Sequence, residues 1–276
     1  MKEKGLDYPF RAMKPIFVKA DLTFANLECC IADCGAPVPK KYSFRARPDT
    51  ASVLARSGIG IVSMANNHAW DFGRAALLQT KRLVEKTGVI TVGAGANHND
   101  AHRLKIVSRR GLKIGFLAYL GLFPPVVPES EREPSVAMGD FASVRREVAA
   151  AHLLVDVLIV SLHCGIENAP KPSSHQIALA RTMIDSGADL VIGHHPHVVQ
   201  PTEIYHGKPI CYSLGNFAFS ASGRGSGQML EAILRKSKPV RVHFIRLDLS
   251  GGQPHIASPL SLPKRLLNQS AQPRII

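Results

Sequence analysis

Short apolar runs separated by helix-patterned segments recur along this chain, and that alternation constrains it to a layered α/β architecture. Strands are expected at residues 22–26, 59–64, 113–118, 155–162, 190–192 and 209–213. Between them, residues 48–56, 73–87, 140–151 and 173–186 read as helices, each with polar or capping residues at an end. Beyond Ser213 the pattern changes: residues 220–227 are rich in Ser and Gly, 240–249 alternate like an antiparallel strand, and Ser250-Gly251-Gly252 ends that run. The Pro-rich stretch 123–134 reads as a surface loop or lid, and no internal repeat is evident. A single domain over residues 1–276 is the economical expectation.

Composition narrows the function classes. A 276-residue chain that is 45% hydrophobic can bury a sizeable core. Its 34 Lys and Arg against 21 Asp and Glu give a formal charge of +13, which suits a polyanionic partner as well as a merely soluble basic surface. The basic residues are scattered, with no aromatic-interleaved stripe, so nucleic acid is not the expected partner. Cys29, Cys30, Cys34, Cys164 and Cys211 have neither zinc-ribbon nor disulfide-framework spacing. Residues 1–20 mix charges and hold no apolar run of signal-peptide length, so the sequence as it stands reads as cytoplasmic. A His-Glu-x-x-His helix motif is absent, which removes support for a zinc peptidase.

The chemistry-bearing residues gather just after the strand candidates, where α/β sheets place their ligands. Glu28 follows the first run, and its two carboxylate oxygens can each coordinate a cation. Asn66-Asn67-His68 follows the second, with Asp71 and Gly73 close behind. There the Asn67 amide oxygen is a neutral metal donor, His68 is a proton donor, and Asp71 either orients His68 or caps the next helix. His163 ends the most hydrophobic run, followed by Gly165 and Glu167. Gly193-His194-His195-Pro196-His197 puts three histidines in five positions. In an extended segment His195 and His197 would share one side and His194 the other, so the first two form a plausible metal clamp. Gly215 and Asn216 suggest a tight turn, and Asn216 either forms that turn or meets substrate.

In order, Asn26-Leu27-Glu28, Asn66-Asn67-His68 with Asp71 and Gly73, His163 with Gly165 and Glu167, residues 193–200 and residues 212–217 resemble the CapA family of the calcineurin-like metallophosphoesterases. The likeness extends through Asp7-Tyr8-Pro9-Phe10, Phe44-Arg45 and Val92-Gly93-Ala94-Gly95, in register over residues 5–219. It implies a four-layer αββα sandwich and a role in capsule or poly-γ-glutamate synthesis. By resemblance, Glu28 bridges two divalent ions (Mn, Fe or Zn), and Asn67, His163, His195 and His197 are further ligands. His68 with Asp71 would be the acid–base group, with Asn26, Glu167 and Asn216 as candidate substrate contacts. Hydrolysis of a phosphoester or polymer bond would follow, and a non-catalytic factor binding an acidic capsular polymer is the alternative. The resemblance also implies a membrane-anchored protein outside the cytoplasm, in a capsule-synthesis complex. Three departures stand out. The family's opening strand with its metal-binding Gly-Asp has no counterpart before Asp7, so one ion should be held weakly. Cys164 replaces a usual Trp, and the segment after Ser220 matches poorly.

Overall fold

Polar side chains placed just ahead of apolar periodicity set the starts of two long helices. Asp140 accepts from the backbone amides of Ala142 and Ser143 at 2.7 and 3.0 Å, opening a helix over Phe141–His152. Ser173 accepts from the Gln176 amide at 3.2 Å and opens Ser174–Asp185. In both cases the cap satisfies amides that the first helical turn leaves without partners.

The computed structural model describes residues 4–122, 130–218, 226–257 and 273–276. In chain order the main elements are β1 (Phe24–Asn26), α1 (Thr50–Arg56), β2 (Ile61–Ser63), α2 (Gly73–Lys86), β3 (Ile90–Val92), β4 (Lys105–Arg109) and β5 (Leu112–Leu120). They continue with α3 (Phe141–His152), β6 (Val157–His163), α4 (Ser174–Asp185), β7 (Leu190–His194), β8 (Thr202–Tyr205) and β9 (Lys208–Cys211). The last are β10 (Ser226–Ile233), β11 (Arg241–Asp248), β12 (His255–Ile256) and β13 (Arg274–Ile275).

One sheet has the order β8-β9-β7-β6-β5-β4, with β5, β6, β7 and β9 mutually parallel. A parallel sheet, β1-β2-β3, and a second, antiparallel one, β12-β11-β10-β13, make up the other side. The C-terminal strand joins these two. Arg274 and Ile275 pair with β10, while the Leu22 and Phe24 amides donate to the Arg274 and Ile276 carbonyls at 3.2 and 2.6 Å. The outer edge of residues 21–24 is therefore hydrogen-bonded.

Strand alternation sorts side chains into two apolar layers. Along β5, Ile114, Phe116, Ala118 and Leu120 join a cluster shared with Ile61 of β2, Met64 just after it, and Ile245 of β11. Leu117 and Tyr119 point the other way, into a cluster with Val144 and Val148 of α3 and Leu179 and Met183 of α4. Phe24 and Phe116 stack across the sheets with centroids 5.9 Å apart. Covering both faces explains why β5 and β6 are almost continuously apolar. With Ala76, Leu77 and Val84 of α2 packed on the other side, the chain forms a mixed α/β sandwich with helices outside two facing sheets.

All six expected strands and all four expected helices occur, with shifted ends. β2 is shorter than residues 59–64, whereas β5 runs on to Leu120 and β6 to His163. The run 240–249 is β11, followed by a 3-10 turn at Ser250–Gly252. Its partner β10 was not expected, because Met229-Leu230-Glu231-Ala232 are helix formers by propensity and their pairing with β11 overrides that preference. Residues 123–129 of the expected lid lie outside the described residues. Among the described residues no helix is long and apolar enough to cross a membrane.

Phe116 is fully buried between the sheets. Phe116→Ala is expected to lower the unfolding free energy by about 3–5 kcal/mol in urea titration; a loss below about 1 kcal/mol would contradict this packing.

Candidate metal centre

The parallel strands deliver the candidate residues to one place because their carboxyl ends point the same way. Glu28 lies two residues past β1, Asn67 follows β2, His163 is the last residue of β6, and His195 and His197 follow β7. The Asn67 Oδ1 and His163 Nε2 atoms are 2.8 Å apart. Glu28 Oε1 is 3.7 Å from His163 Nε2 and 3.5 Å from His197 Nε2. The rings of His163 and His195 have centroids 4.9 Å apart, and those of His195 and His197 6.2 Å. One donor atom each from Glu28, His163 and His195 fit within 4.8 Å of one another.

The clamp closes differently from the sequence expectation. His195 and His197 are not on an extended strand: β7 ends at His194, and both residues have positive φ, 99° and 59°. Left-handed backbone at two non-glycine positions turns both rings into the site, a conformation that costs energy and needs surrounding structure to hold it. His194 does face elsewhere, with its ring 6.4 Å from that of Phe24. Gly193 lets β7 run close to the backbone at Tyr212, since a Cβ there would strike the Tyr212 carbonyl.

A polar net fixes the donors. Asn26 Nδ2 donates to Glu28 Oε2 at 2.9 Å, and Asn66 Nδ2 donates to Asn26 Oδ1 at 3.0 Å and to the Leu27 carbonyl at 2.9 Å. The His68 amide donates to Asn66 Oδ1 at 3.1 Å, tying the net to the neighbouring histidine. Asn216 Oδ1 lies 2.9 Å from His197 Nδ1. Asn26 and Asn216, expected as substrate contacts, thus touch the candidate ligands themselves. Glu167 is exposed and near enough for its charge to act on Glu28 and His195.

His68 is buried, with Nδ1 2.8 Å from Asp71 Oδ2. Asp71 is not the helix cap: α2 starts after Phe72 with no side-chain cap, and Asp71 Oδ2 also accepts from the Phe44 amide at 2.5 Å. Two residues to which the sequence reading gave no role in the site complete this corner. Lys40 forms an ion pair with Asp71 and donates to the Asn67 carbonyl at 2.9 Å, and the Phe44 ring packs 4.3 Å from that of His68. Lys40 sits in the basic Lys40-Lys41 pair, and nothing local distinguishes it from a surface lysine; Asn66 differed from Asn67 only by its position.

Burial shapes the electrostatics. It pushes the Glu28 acid up to about 8, helped by the Glu167 charge and opposed by the Asn26 hydrogen bond. Burial holds His194 and His195 down at about 4, and holds His163 well below its ordinary value, with His195 and the other histidines adding to the effect. These rings are therefore neutral at neutral pH, with lone pairs free for coordination. Glu28 Oε1 is buried with no hydrogen-bond partner, and a cation beside it would supply the missing interaction. The residues fit a divalent ion with mixed nitrogen and oxygen donors.

The sandwich is similar to that of a phosphatase from Mycoplasma pneumoniae, with TM-score 0.56 and 16% identity over 94% of this chain and 93% of that one. The chain thus shares its layered α/β sandwich fold with that phosphatase. Residues 1–221 match the family described as bacterial capsule synthesis protein PGA_cap, and the chain belongs to that family. It is 29% identical to the PGA biosynthesis protein CapA of Bacillus subtilis (strain 168), over 97% of this chain and 70% of the relative. To the capsule biosynthesis protein CapA of Bacillus anthracis it is 28% identical, covering 91% of this chain and 63% of that protein's length.

In the metal-free chain the raised Glu28 pKa favours folding at low pH, and that contribution is lost as pH rises through about 8. A bound cation requires the ionised carboxylate, so metal uptake at pH values between roughly 5 and 8 should expel about one proton per chain from Glu28, however many ions it holds. Calorimetry in buffers of differing ionisation enthalpy measures this. The release should vanish above about pH 9, and no proton exchange at neutral pH would contradict the assignment.

Proposed function

We propose that this chain is a metal-dependent hydrolase of the phosphoesterase type that serves capsule or poly-γ-glutamate synthesis. The observation that carries the reading is the buried, unpartnered Glu28 oxygen facing neutral imidazoles, with the His68–Asp71 pair joined to it through Asn66 and Asn26. Glu28, Asn67, His163, His195 and His197 would hold two divalent ions, the second more weakly because the donor set is rich in neutral groups. Divalent ions there would supply Lewis-acid stabilisation of the negative charge that develops during bond cleavage.

The chain's own residues contribute the proton chemistry. Asp71 fixes the His68 ring through Nδ1, which leaves Nε2 to deliver a proton to the leaving group. Lys40 balances the Asp71 charge, and Phe44 holds the ring from its other side. Lys40, a quarter exposed, would also meet an anionic substrate at the mouth of the site. A phosphoester or the acidic polymer itself would be the substrate, with a membrane-bound capsule-synthesis complex as the setting.

The formal charge of +13 favours a second reading, in which the chain binds an acidic polymer as a non-catalytic assembly factor. The two separate cleanly. For the enzyme, His68→Ala should lower kcat for Mn2+-dependent phosphodiester hydrolysis by roughly 10²–10⁴-fold, with metal content and binding to poly-γ-glutamate unchanged. Unaltered turnover in that variant would exclude His68 as the acid. Polymer binding that survives loss of every candidate ligand, in a chain without turnover, would favour the assembly factor.

Replacing Lys40 tests the mouth of the site. Lys40→Gln leaves Asp71 buried with one partner fewer, and kcat/KM is expected to drop by about ten- to a hundredfold while bound metal stays constant. An unchanged kcat/KM in steady-state assays would remove Lys40 from the site.

A further inference from the structure

A second group of metal-type donors lies outside the site described above. His98 opens a short helix at His98–Ala101, and His102 follows its last residue. Four positions apart on a helical turn, the two rings stack with centroids 4.1 Å apart. Glu147, in the middle of α3, reaches them: its Oε2 lies 2.8 Å from His102 Nδ1. One donor atom from each of His98, His102 and Glu147 fits within a 4.8 Å span.

The surroundings are those of a built site. His102 and Glu147 side chains are only 7% and 17% exposed, so water competes weakly for them. Tyr119 is fully buried and donates its hydroxyl to Glu147 Oε2 at 2.9 Å, while Arg146 donates to Oε1 at 3.0 Å. Tyr119 shares Oε2 with His102 while Arg146 takes Oε1, and together they fix the orientation of the carboxylate, as outer partners of metal ligands do. Burial opposes ionisation of Glu147, but the His102, Tyr119 and Arg146 contacts outweigh it and hold the acid below its usual range. The His98 ring makes no hydrogen bond among the described residues and is free to turn its donor toward the other two.

We infer that His98, His102 and Glu147 form a zinc site that pins the short helix at His98–Ala101 to α3. Two imidazoles and a carboxylate are a donor set that zinc accepts, with a water in the fourth position. Zn–N and Zn–O bonds of about 2.0–2.2 Å separate tetrahedral donors by roughly 3.3 Å. The His102–Glu147 pair need open only slightly, and the half-buried His98 supplies the remaining movement. The short helix lies between β3 and β4, and its Ala101 already joins the apolar layer that holds Val144 and Val148 of α3, so the ion would reinforce that contact.

The test compares zinc content of the full chain with that of His98→Ala and Glu147→Gln after dialysis against micromolar Zn2+ and gel filtration. Each variant should carry about one equivalent less than the parent, and the zinc-induced rise in Tm should shrink by at least ~3 °C. Equal zinc content in the parent and His98→Ala would overturn the site. Because the His98 ring carries no hydrogen bond, that variant should fold, confirmed by circular dichroism, and it decides the question even if Glu147→Gln, which disturbs Tyr119, does not. Loss of zinc from the Glu28 centre would instead change the equivalents common to all three proteins.

Discussion

One buried carboxylate oxygen organises the functional end of this molecule. Glu28 Oε1 sits beside His163 and His197 without a hydrogen bond, while its other oxygen is held by Asn26. An unpaired carboxylate in such a place is unfavourable by an amount comparable with the net stability of many folds, unless it is protonated or a cation joins it. The His163 and His195 imidazoles cannot supply that charge, because burial keeps them unprotonated. With its acid raised to about 8, Glu28 is protonated in the metal-free chain at neutral pH, and a cation beside it would take the place of that proton.

The fold makes this arrangement by a simple route. Parallel strands from two facing sheets end at the same rim, and each releases its polar cluster there. What the strands do not supply, the turns do: left-handed backbone at His195 and His197 aims two rings inward. The strain is held by packing, with Asn216 on the His197 ring and Gly193 passing close to Tyr212. The candidate site thus rests on the same sandwich core that Phe24 and Phe116 close.

Much of this was legible in the sequence, and the limits are physical. Buried strands such as β5 and β6 announce themselves as continuous apolar runs, and Asp140 and Ser173 mark helix starts, because these signals are local. Glu28, Asn67, His163, His195 and His197 each follow a strand candidate, and the resemblance to the CapA family is what groups them as one ligand set. Convergence of His195 and His197 was expected for the wrong reason, a period of two, where the backbone uses a turn. Lys40 and β10 were missed because their roles arise only from tertiary contact: an ion pair with a buried aspartate in one case, pairing with β11 in the other. The C-terminal strand beside Leu22 likewise depends on contact between segments some 250 residues apart in sequence, 253 for the Arg274 amide and the Asp21 carboxylate.

The most direct measurement is anomalous diffraction from crystals soaked in Mn2+. The account predicts a strong anomalous peak within coordinating distance of Glu28, His163 and His195, with any second peak beside Asn67 or His197 weaker. A map with no anomalous density among these side chains, in crystals whose other sites take up the ion, would contradict it.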